Sequence, residues 1–281
     1  MKLGLYGINL GACARPDVAA RVAQACESLG FESLWTAEHV VLPDPQKPPS
    51  PVPPGTELLD PAVALAFVAA LTERIRLATG IVILPQRNPV VLAKEFASLD
   101  RLSGGRLIFG VAAGYLEAEF RAIGAPFAER GARTDEYIDV IRELWTSEQP
   151  SFAGETIRFS GIQSRPLPVQ RPCPPFVIGG QSDAALRRAQ LRGDGWYGFA
   201  LDPKATAAIL ERLRKAGAGI ARERPPLELT ITPPPGRFDA ELVARYAELG
   251  VHRLVPIGLG RSADELVACA ERYAEALRGS P

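Results

Sequence analysis

The feature of this 281-residue chain that most restricts its fold is a strand signal followed by a helix signal, repeated eight times. Three of the helices are introduced by Asp60-Pro61, Asn88-Pro89 and Asp202-Pro203. In each pair the first residue suits an N-cap and the proline suits the first helical position. Strands that alternate with helices pair in parallel. Eight complete units therefore predict an α/β fold: a (β/α)8 TIM barrel with short insertions at its C-terminal face.

An open doubly wound sheet is the alternative architecture. It needs a Gly-x-Gly-x-x-Gly turn after the first strand, and Gly4, Gly7 and Gly11 do not form one.

The expected insertions are a proline-rich loop at 43–54 and a β-ribbon at 152–159, and a helix is predicted over Thr134–Trp145. We predict the eight strands at Lys2–Ile8, Ser33–His39, Arg76–Ile83, Arg106–Ala113, Pro175–Gly179, Gly195–Phe199, Glu228–Thr232 and Arg253–Ile257.

Charge and composition disfavour several classes of protein. The 32 basic residues balance 32 acidic residues, so the chain lacks the positive charge typical of a nucleic-acid-binding protein. It contains no run of 18 apolar residues, which predicts that it does not cross a membrane. The four cysteines lack metal-ligand spacing and the chain has only two histidines, so we expect no metal site, reduced thiols and a cytoplasmic location.

Catalytic groups of a (β/α)8 barrel come from the C-terminal ends of the strands and the loops that follow them. His39 ends the second predicted strand, and an imidazole suits proton transfer near neutral pH. A structural histidine in the following loop is the alternative. Glu38 either orients His39 or points into the barrel. His252 lies at the opposite end of the eighth predicted strand and is expected to be structural.

Gly179-Gly180-Gln181-Ser182 follows the fifth predicted strand and is the best candidate for an anion site. Glycines allow a ligand to approach the backbone closely, and Ser182 begins a helix whose free N–H groups favour a phosphate. A tight turn with an ordinary N-cap is the alternative interpretation.

An ordered set of motifs spans nearly the whole chain and resembles the bacterial luciferase-like monooxygenase family. More narrowly, it resembles the branch that uses the deazaflavin coenzyme F-420. The motifs are Gly30-Phe31-Glu32-Ser33-Leu34-Trp35, Glu38-His39, Leu77-Ala78-Thr79-Gly80-Ile81, Asn88-Pro89, Asp100-Arg101-Leu102-Ser103-Gly104-Gly105-Arg106, Phe109-Gly110-Val111-Ala112-Ala113-Gly114, Glu119-Phe120, Pro174-Pro175, Gly179-Gly180 and Gly193-Asp194-Gly195-Trp196.

The resemblance implies a single luciferase-like barrel domain over 1–281, with a cofactor lying across its C-terminal face. It implies a non-proline cis peptide at Gly80–Ile81 behind the middle ring of the cofactor, a cofactor phosphate near 179–182, and His39 near the reacting ring. The cofactor-binding residues expected on this basis are Thr79, Gly80, Ile81, Ala113, Gly179, Gly180, Gln181 and Ser182.

The expected function is hydride transfer between coenzyme F-420 and a small organic substrate, with His39 and Glu38 as the catalytic residues. The alternatives are an FMN-dependent monooxygenase and a barrel that binds a flavin without turnover. Asn9, Tyr115 and Trp196 are the expected substrate-pocket residues, and a homodimer is expected from the resemblance.

Two departures from the family pattern affect the pocket. Tyr115 and Ala118 stand where some deazaflavin dehydrogenases have an acid and an asparagine, which disfavours a sugar-phosphate substrate. The turn after the seventh predicted strand is short, Pro233–Arg237, so we expect an open pocket.

Overall fold

Parallel strands close into a barrel in the computed structural model, which describes residues 1–222 and 224–280. Each strand pairs with its neighbours along the chain, and the ring closes where Lys2 lies opposite Arg253 and Leu3 opposite Leu254. The prediction of a closed (β/α)8 barrel is therefore confirmed. The barrel strands are β1 (Lys2–Tyr6), β2 (Ser33–Thr36), β3 (Arg76–Thr79) continued by β4 (Val82–Ile83), β5 (Leu107–Ala112), and, after a ribbon of β6 (Phe152–Ala153) and β7 (Arg158–Phe159), β8 (Phe176–Gly179), β9 (Gly195–Phe199), β10 (Glu228–Thr232) and β11 (Arg253–Leu254).

Helices surround the barrel, and most of them begin where the sequence places a cap. The side chains of Asp60, Asn88, Ser182, Asp202 and Ser262 each accept a hydrogen bond from a backbone N–H of the first helical turn. These bonds satisfy donors that a helix end leaves free. Within the described residues the α-helices are α1 (Pro16–Leu29), α2 (Pro61–Leu71), α3 (Pro89–Leu102), α4 (Glu117–Ala122), α5 (Arg130–Thr146), α6 (Asp183–Arg192), α7 (Pro203–Ala216), α8 (Ala240–Glu248) and α9 (Ala263–Arg278).

Two helices differ from the sequence prediction. Helix α5 begins at Arg130 rather than Thr134, and the six-residue helix α4 was not predicted. Helix α4 is too short for apolar periodicity to reveal it, because one and a half turns give a single repeat. It buries Glu119 and Phe120 while Glu117 and Ala118 remain exposed. This short helix brings a carboxylate to the C-terminal end of the barrel.

Alternating side chains divide the core into two regions. Trp35, Ala78, Ile108, Val177 and Tyr197 form a buried cluster inside the barrel, together with Val255. Their neighbours Leu34, Leu77, Phe109, Ile178 and Trp196 belong to the larger core between the strands and the helices. This alternation follows from strand geometry, in which successive side chains point to opposite faces of the sheet.

Several strands end earlier than the sequence predicts. Strands β1, β2 and β11 stop at Tyr6, Thr36 and Leu254, whereas the expected ends were Ile8, His39 and Ile257. After β1 and β2 the chain continues in loops that the side chain of Asn9 holds together through hydrogen bonds with the backbone of Ala37 and Leu59. His39 is therefore carried by a loop above the barrel and not by the strand itself.

No described helix is both long and apolar enough to cross a membrane.

Candidate active site

His39 lies at the C-terminal end of the barrel in contact with a carboxylate and a phenol. Its Nδ1 is 3.3 Å from Oε2 of Glu119, and its Nε2 is 3.5 Å from the hydroxyl oxygen of Tyr115. The imidazole and the Tyr115 ring meet edge to face, with centroids 6.0 Å apart. The His39 side chain is 9% exposed, so one edge of the imidazole is open to solvent or to a ligand.

Glu119 is a fully buried carboxylate whose two oxygens are both in use. Oε2 lies 3.3 Å from Nδ1 of His39, and Oε1 accepts a hydrogen bond from the backbone N–H of Val40. Burial alone raises the pKa of a carboxyl group, but His39, the Gln86 amide and the Val40 N–H together outweigh burial and hold the pKa of Glu119 below its ordinary value. Glu119 is therefore an anion at neutral pH. Sequence reasoning did not include it among the site residues, although Glu119-Phe120 was one of the quoted motifs.

Glu38, predicted to be catalytic beside His39, binds a different partner. Its carboxylate accepts two hydrogen bonds from the guanidinium of Arg87, one of them 2.9 Å long, and a third from the backbone N–H of Ile83. Arg87 also binds Asp60, the cap of α2. Burial raises the pKa of Glu38, against the opposing charge of Arg87. Glu38 thus anchors the chain after β3, and the structure gives the orienting contact with His39 to Glu119.

Small residues form a floor at the C-terminal end of β3, β5 and β8. The Gly80–Ile81 peptide is cis, as the family resemblance implied. A side chain on Gly110 would place its Cβ 1.9 Å from the carbonyl oxygen of Thr79, and one on Gly179 would lie 2.9 Å from Ile81. Thr79 itself is buried and donates its hydroxyl to the Gly110 carbonyl, 2.7 Å away. These contacts show close packing of the strands, and half-buried Ile81 and Ala113 are the part of the floor that a ligand can reach.

Aromatic side chains line the barrel mouth at β1 and β9. The rings of Tyr6 and Phe199 are 5.1 Å apart, and Tyr197 hydrogen-bonds Thr232 at 2.6 Å. Burial raises the pKa of the Tyr6 phenol, with a further contribution from Tyr115. These phenols are therefore neutral at physiological pH and can act as hydrogen-bond donors.

The loop from Gly179 to Ser182 leads into α6 with several free backbone donors. Gly180 has φ of 115°, a conformation that favours glycine, and the Ser182 hydroxyl caps the helix at Ala185. The Gln181 side chain donates to the carbonyl of Phe199 at 2.7 Å. In the described part of the chain, the N–H groups from Gln181 to Ala184 have no acceptor. This arrangement suits an anion such as a phosphate.

Two residues predicted to line the substrate pocket lie elsewhere. Trp196 is fully buried between the barrel and the helices and donates to the Gly180 carbonyl at 2.8 Å. Asn9 is also fully buried, with its amide engaged by Ala37 and Leu59. Tyr115, the third predicted residue, is 49% exposed at the mouth beside His39.

Comparison with known proteins identifies the family. The sequence model of the luciferase-like monooxygenases matches residues 6–277. The chain belongs to the luciferase-like monooxygenase family. It is 32% identical to an uncharacterized Mycobacterium tuberculosis protein over 282 aligned positions, which cover 97% of this chain and 98% of that protein.

Two further relatives carry names that mention a cofactor. A Mycobacterium tuberculosis protein provisionally named a coenzyme F-420-dependent oxidoreductase is 29% identical over 245 positions, covering 83% of this chain and 65% of that protein. The FMNH2-dependent dimethylsulfone monooxygenase of Pseudomonas putida is 37% identical over 138 positions, covering 48% of this chain and 37% of the enzyme.

Solved structures share the same fold. Monooxygenase RslO1 from Streptomyces bottropensis superimposes with a TM-score of 0.80 at 22% identity, covering 99% of both chains. An F-420-dependent secondary alcohol dehydrogenase superimposes with a TM-score of 0.77 at 17% identity, covering 99% of this chain and 98% of the other. At these identities the likeness concerns the luciferase-like barrel alone.

Proposed function

We propose that this luciferase-like oxidoreductase passes a hydride between coenzyme F-420 and a small organic substrate. One observation carries the proposal: His39, paired with buried Glu119, stands at the same end of the barrel as the small-residue floor and the free amides of α6. The relative named for coenzyme F-420 supports this cofactor, because the similarity extends over 83% of the chain.

The residues present fit a flat ring system that carries a phosphate. The buried glycines let the strands of the floor pack closely, and half-buried Ile81 and Ala113 form the part of it against which a flat ring could lie. The amides from Gln181 to Ala184 would bind the phosphate, because they carry partial positive charge and have no acceptor in the described residues. When bound, a deazaflavin would supply the hydride chemistry.

His39 would hold or receive the proton that accompanies the hydride. Its Nε2 faces Tyr115 at the open mouth, whereas Nδ1 is occupied by Glu119. The substrate proton would therefore move to or from Nε2, with the Tyr115 hydroxyl available to bind the same substrate atom. The exposure of Tyr115 supports this role, because a small molecule could reach the Tyr115 hydroxyl from solvent.

An FMN-dependent monooxygenase is the second candidate function. The relative named as FMNH2-dependent supports it, because its identity to this chain is the higher of the two, although it extends over only 48% of the chain. The proposed site residues would be the same. The two functions differ in whether oxygen is consumed during turnover.

The test is fluorescence titration of the purified protein with coenzyme F-420 and, separately, with FMN. We expect tighter binding of coenzyme F-420. Gly180→Ala should weaken binding, because φ of 115° is unfavourable for alanine and the new Cβ would lie 3.0 Å from Ala185. Gly279→Ala is the matched control, since the added Cβ makes only ordinary contacts at 3.5 Å or more.

Each outcome of the titration decides between the candidates. Preference for FMN would replace the hydride proposal with monooxygenation, which oxygen uptake would then check. Binding of neither cofactor would refute both. Binding of a cofactor that is neither reduced nor oxidised across a panel of alcohols, aldehydes and ketones would favour a barrel that binds a flavin without turnover.

A homodimer is proposed from the outer face of α2. Val63, Ala66, Phe67 and Ala70 are exposed at helical spacing, with Val63 66% and Phe67 40% accessible. A helix that is apolar on all sides is normally buried, and an uncharged face can pack against its own copy across a twofold axis.

In light scattering after gel filtration, Phe67→Glu should give monomers. Leu191→Glu, which alters a comparably exposed residue on α6, should leave a dimer.

A further inference from the structure

We propose that Glu119 is a positioning residue that holds His39 in the tautomer with its proton on Nδ1. In that tautomer Nε2 carries the lone pair that faces Tyr115. The inference deepens the proposed function, because it assigns the nitrogen that exchanges a proton with the substrate. Its structural part concerns only residues of this chain and is testable without a cofactor.

The hydrogen bonds of Glu119 require a proton on Nδ1 of His39. An ionised carboxylate can only accept hydrogen bonds. Oε1 is engaged by the Val40 N–H, so the contact of 3.3 Å between Oε2 and His39 requires a proton on Nδ1. In the described residues no Lys or Arg lies within ion-pairing distance of Glu119, and His39 is its only possible cationic partner.

The contact between Glu119 and His39 also restrains the loop that carries His39. The Glu119 side chain is completely buried, and it holds both the His39 ring and the adjacent Val40 backbone. The imidazole therefore has a defined orientation as well as a defined tautomer. Carboxylates that bind the second ring nitrogen of metal-ligating histidines act in this way, and their removal typically costs about 10–100-fold in metal affinity or activity.

Replacement of Glu119 by Gln separates a tautomer effect from a loss of shape. The Gln side chain has nearly the same volume but only one acceptor oxygen. If that oxygen keeps the bond to the Val40 N–H, the amide NH2 group is turned toward His39 Nδ1. An NH2 donor requires a lone pair on Nδ1, so the His39 proton must move to Nε2. E119Q is thus expected to invert the tautomer with little change in the surrounding contacts.

The chain contains its own reference for this measurement. It has only two histidines. The Nδ1 atom of His252 accepts a hydrogen bond from the Leu229 N–H at 3.0 Å, so neutral His252 carries its proton on Nε2. The two side chains are therefore expected to show opposite tautomers in one spectrum, and His252 lies at the other end of the barrel, away from the site.

The experiment is long-range proton–nitrogen NMR of protein labelled with 15N-histidine, without added cofactor, at a pH where both imidazoles are neutral. His39→Gln assigns the signals by removing one set. We expect the Nδ1–H pattern for His39 and the Nε2–H pattern for His252. E119Q should convert His39 to the Nε2–H pattern and leave His252 unchanged, whereas Tyr115→Phe should alter neither.

Either of two results would overturn the proposal: an Nε2–H or averaged His39 pattern in the unmodified protein, or an unchanged His39 tautomer in folded E119Q. The first result needs no variant, so the test holds even if E119Q fails to fold. If the protein turns over, E119Q should lower kcat about 10–100-fold with KM and cofactor Kd nearly unchanged. Failure to bind a cofactor would refute the proposed function but would leave the tautomer result standing.

Discussion

The two ends of the barrel are built from opposite kinds of residue. At the N-terminal end, Arg253 is completely buried, and its guanidinium binds Glu32 at 2.8 Å, Glu228 at 3.0 Å and Thr230 at 3.0 Å. At the C-terminal end stand glycines, unpaired backbone amides and the His39–Glu119 pair. One end satisfies its own polar groups, and the other leaves groups available for a ligand.

This difference has a physical basis. A buried charge is tolerated only when it is paired and hydrogen-bonded, and Glu32, Glu228 and Thr230 meet this requirement for Arg253. Free N–H groups at a helix start and close-packed glycines add little to the stability of the unliganded fold, because their favourable contacts need a bound partner. The N-terminal end of the barrel thus pairs its own polar groups, whereas the C-terminal end keeps groups free for a ligand.

The largest expected effect contrasts the two histidines. His39→Ala should reduce turnover about 10²–10⁴-fold, the usual contribution of a general acid or base. Its unfolding free energy should also fall, because the buried Glu119 carboxylate loses its contact with His39, so turnover is compared for the folded protein. His252→Ala removes an acceptor for the Leu229 N–H at the other end and should leave turnover intact. Steady-state kinetics and urea unfolding of both variants measure the contrast. Equal turnover in His39→Ala would remove the proton-transfer role.

Replacement of Arg253 should show the reverse pattern. Arg253→Met leaves Glu32 and Glu228 without their buried partner, which typically costs about 3–5 kcal/mol of unfolding free energy. The kcat of the folded fraction should stay the same. Lys2→Met is the control, because Lys2 pairs with Glu228 from a position 48% exposed and such pairs contribute about 1 kcal/mol or less. A change in kcat without loss of stability would contradict the division between the two ends.

The sequence predicts the architecture better than the contacts within the site. The barrel and most caps follow from local signals, such as Asx-Pro pairs and apolar runs, that the structure confirms. Trp196 was misplaced because Gly195–Phe199 is apolar on both faces, so its sequence has no alternation to show which side points inward. Glu38 was preferred to Glu119 because it is adjacent to His39 in sequence. The choice depends on a loop and a short helix, α4, which place residues 80 positions apart in contact.

Gly179→Ala tests the floor at the C-terminal end and should have an intermediate effect. The added Cβ would lie 2.9 Å from the Ile81 side chain, and overpacking of this kind costs about 1–3 kcal/mol. We expect cofactor affinity to fall about tenfold or more, because the floor must shift to accept the methyl group. Gly279→Ala should bind as the unmodified protein does. Unchanged affinity in Gly179→Ala would show that the ring does not rest on this surface.

The smallest expected effect is the pH dependence of the N-terminal end. Burial alone would raise the pKa values of Glu32 and Glu228, but the bonds and charge of Arg253, with weaker contributions from Arg76 and Lys2, hold them below the ordinary value. A lowered folded-state pKa stabilises the protein at pH values above the unfolded-state pKa, about 4.3, and this contribution is lost as the pH falls through the folded-state pKa.

The difference in unfolding free energy between the unmodified protein and Arg253→Met should therefore shrink from about pH 7 to about pH 3. Urea unfolding across this range measures it. A difference that is constant with pH would mean that Arg253 stabilises the barrel through its contact with Trp35, whose ring lies 5.6 Å from the guanidinium, and not through its ion pairs with Glu32 and Glu228.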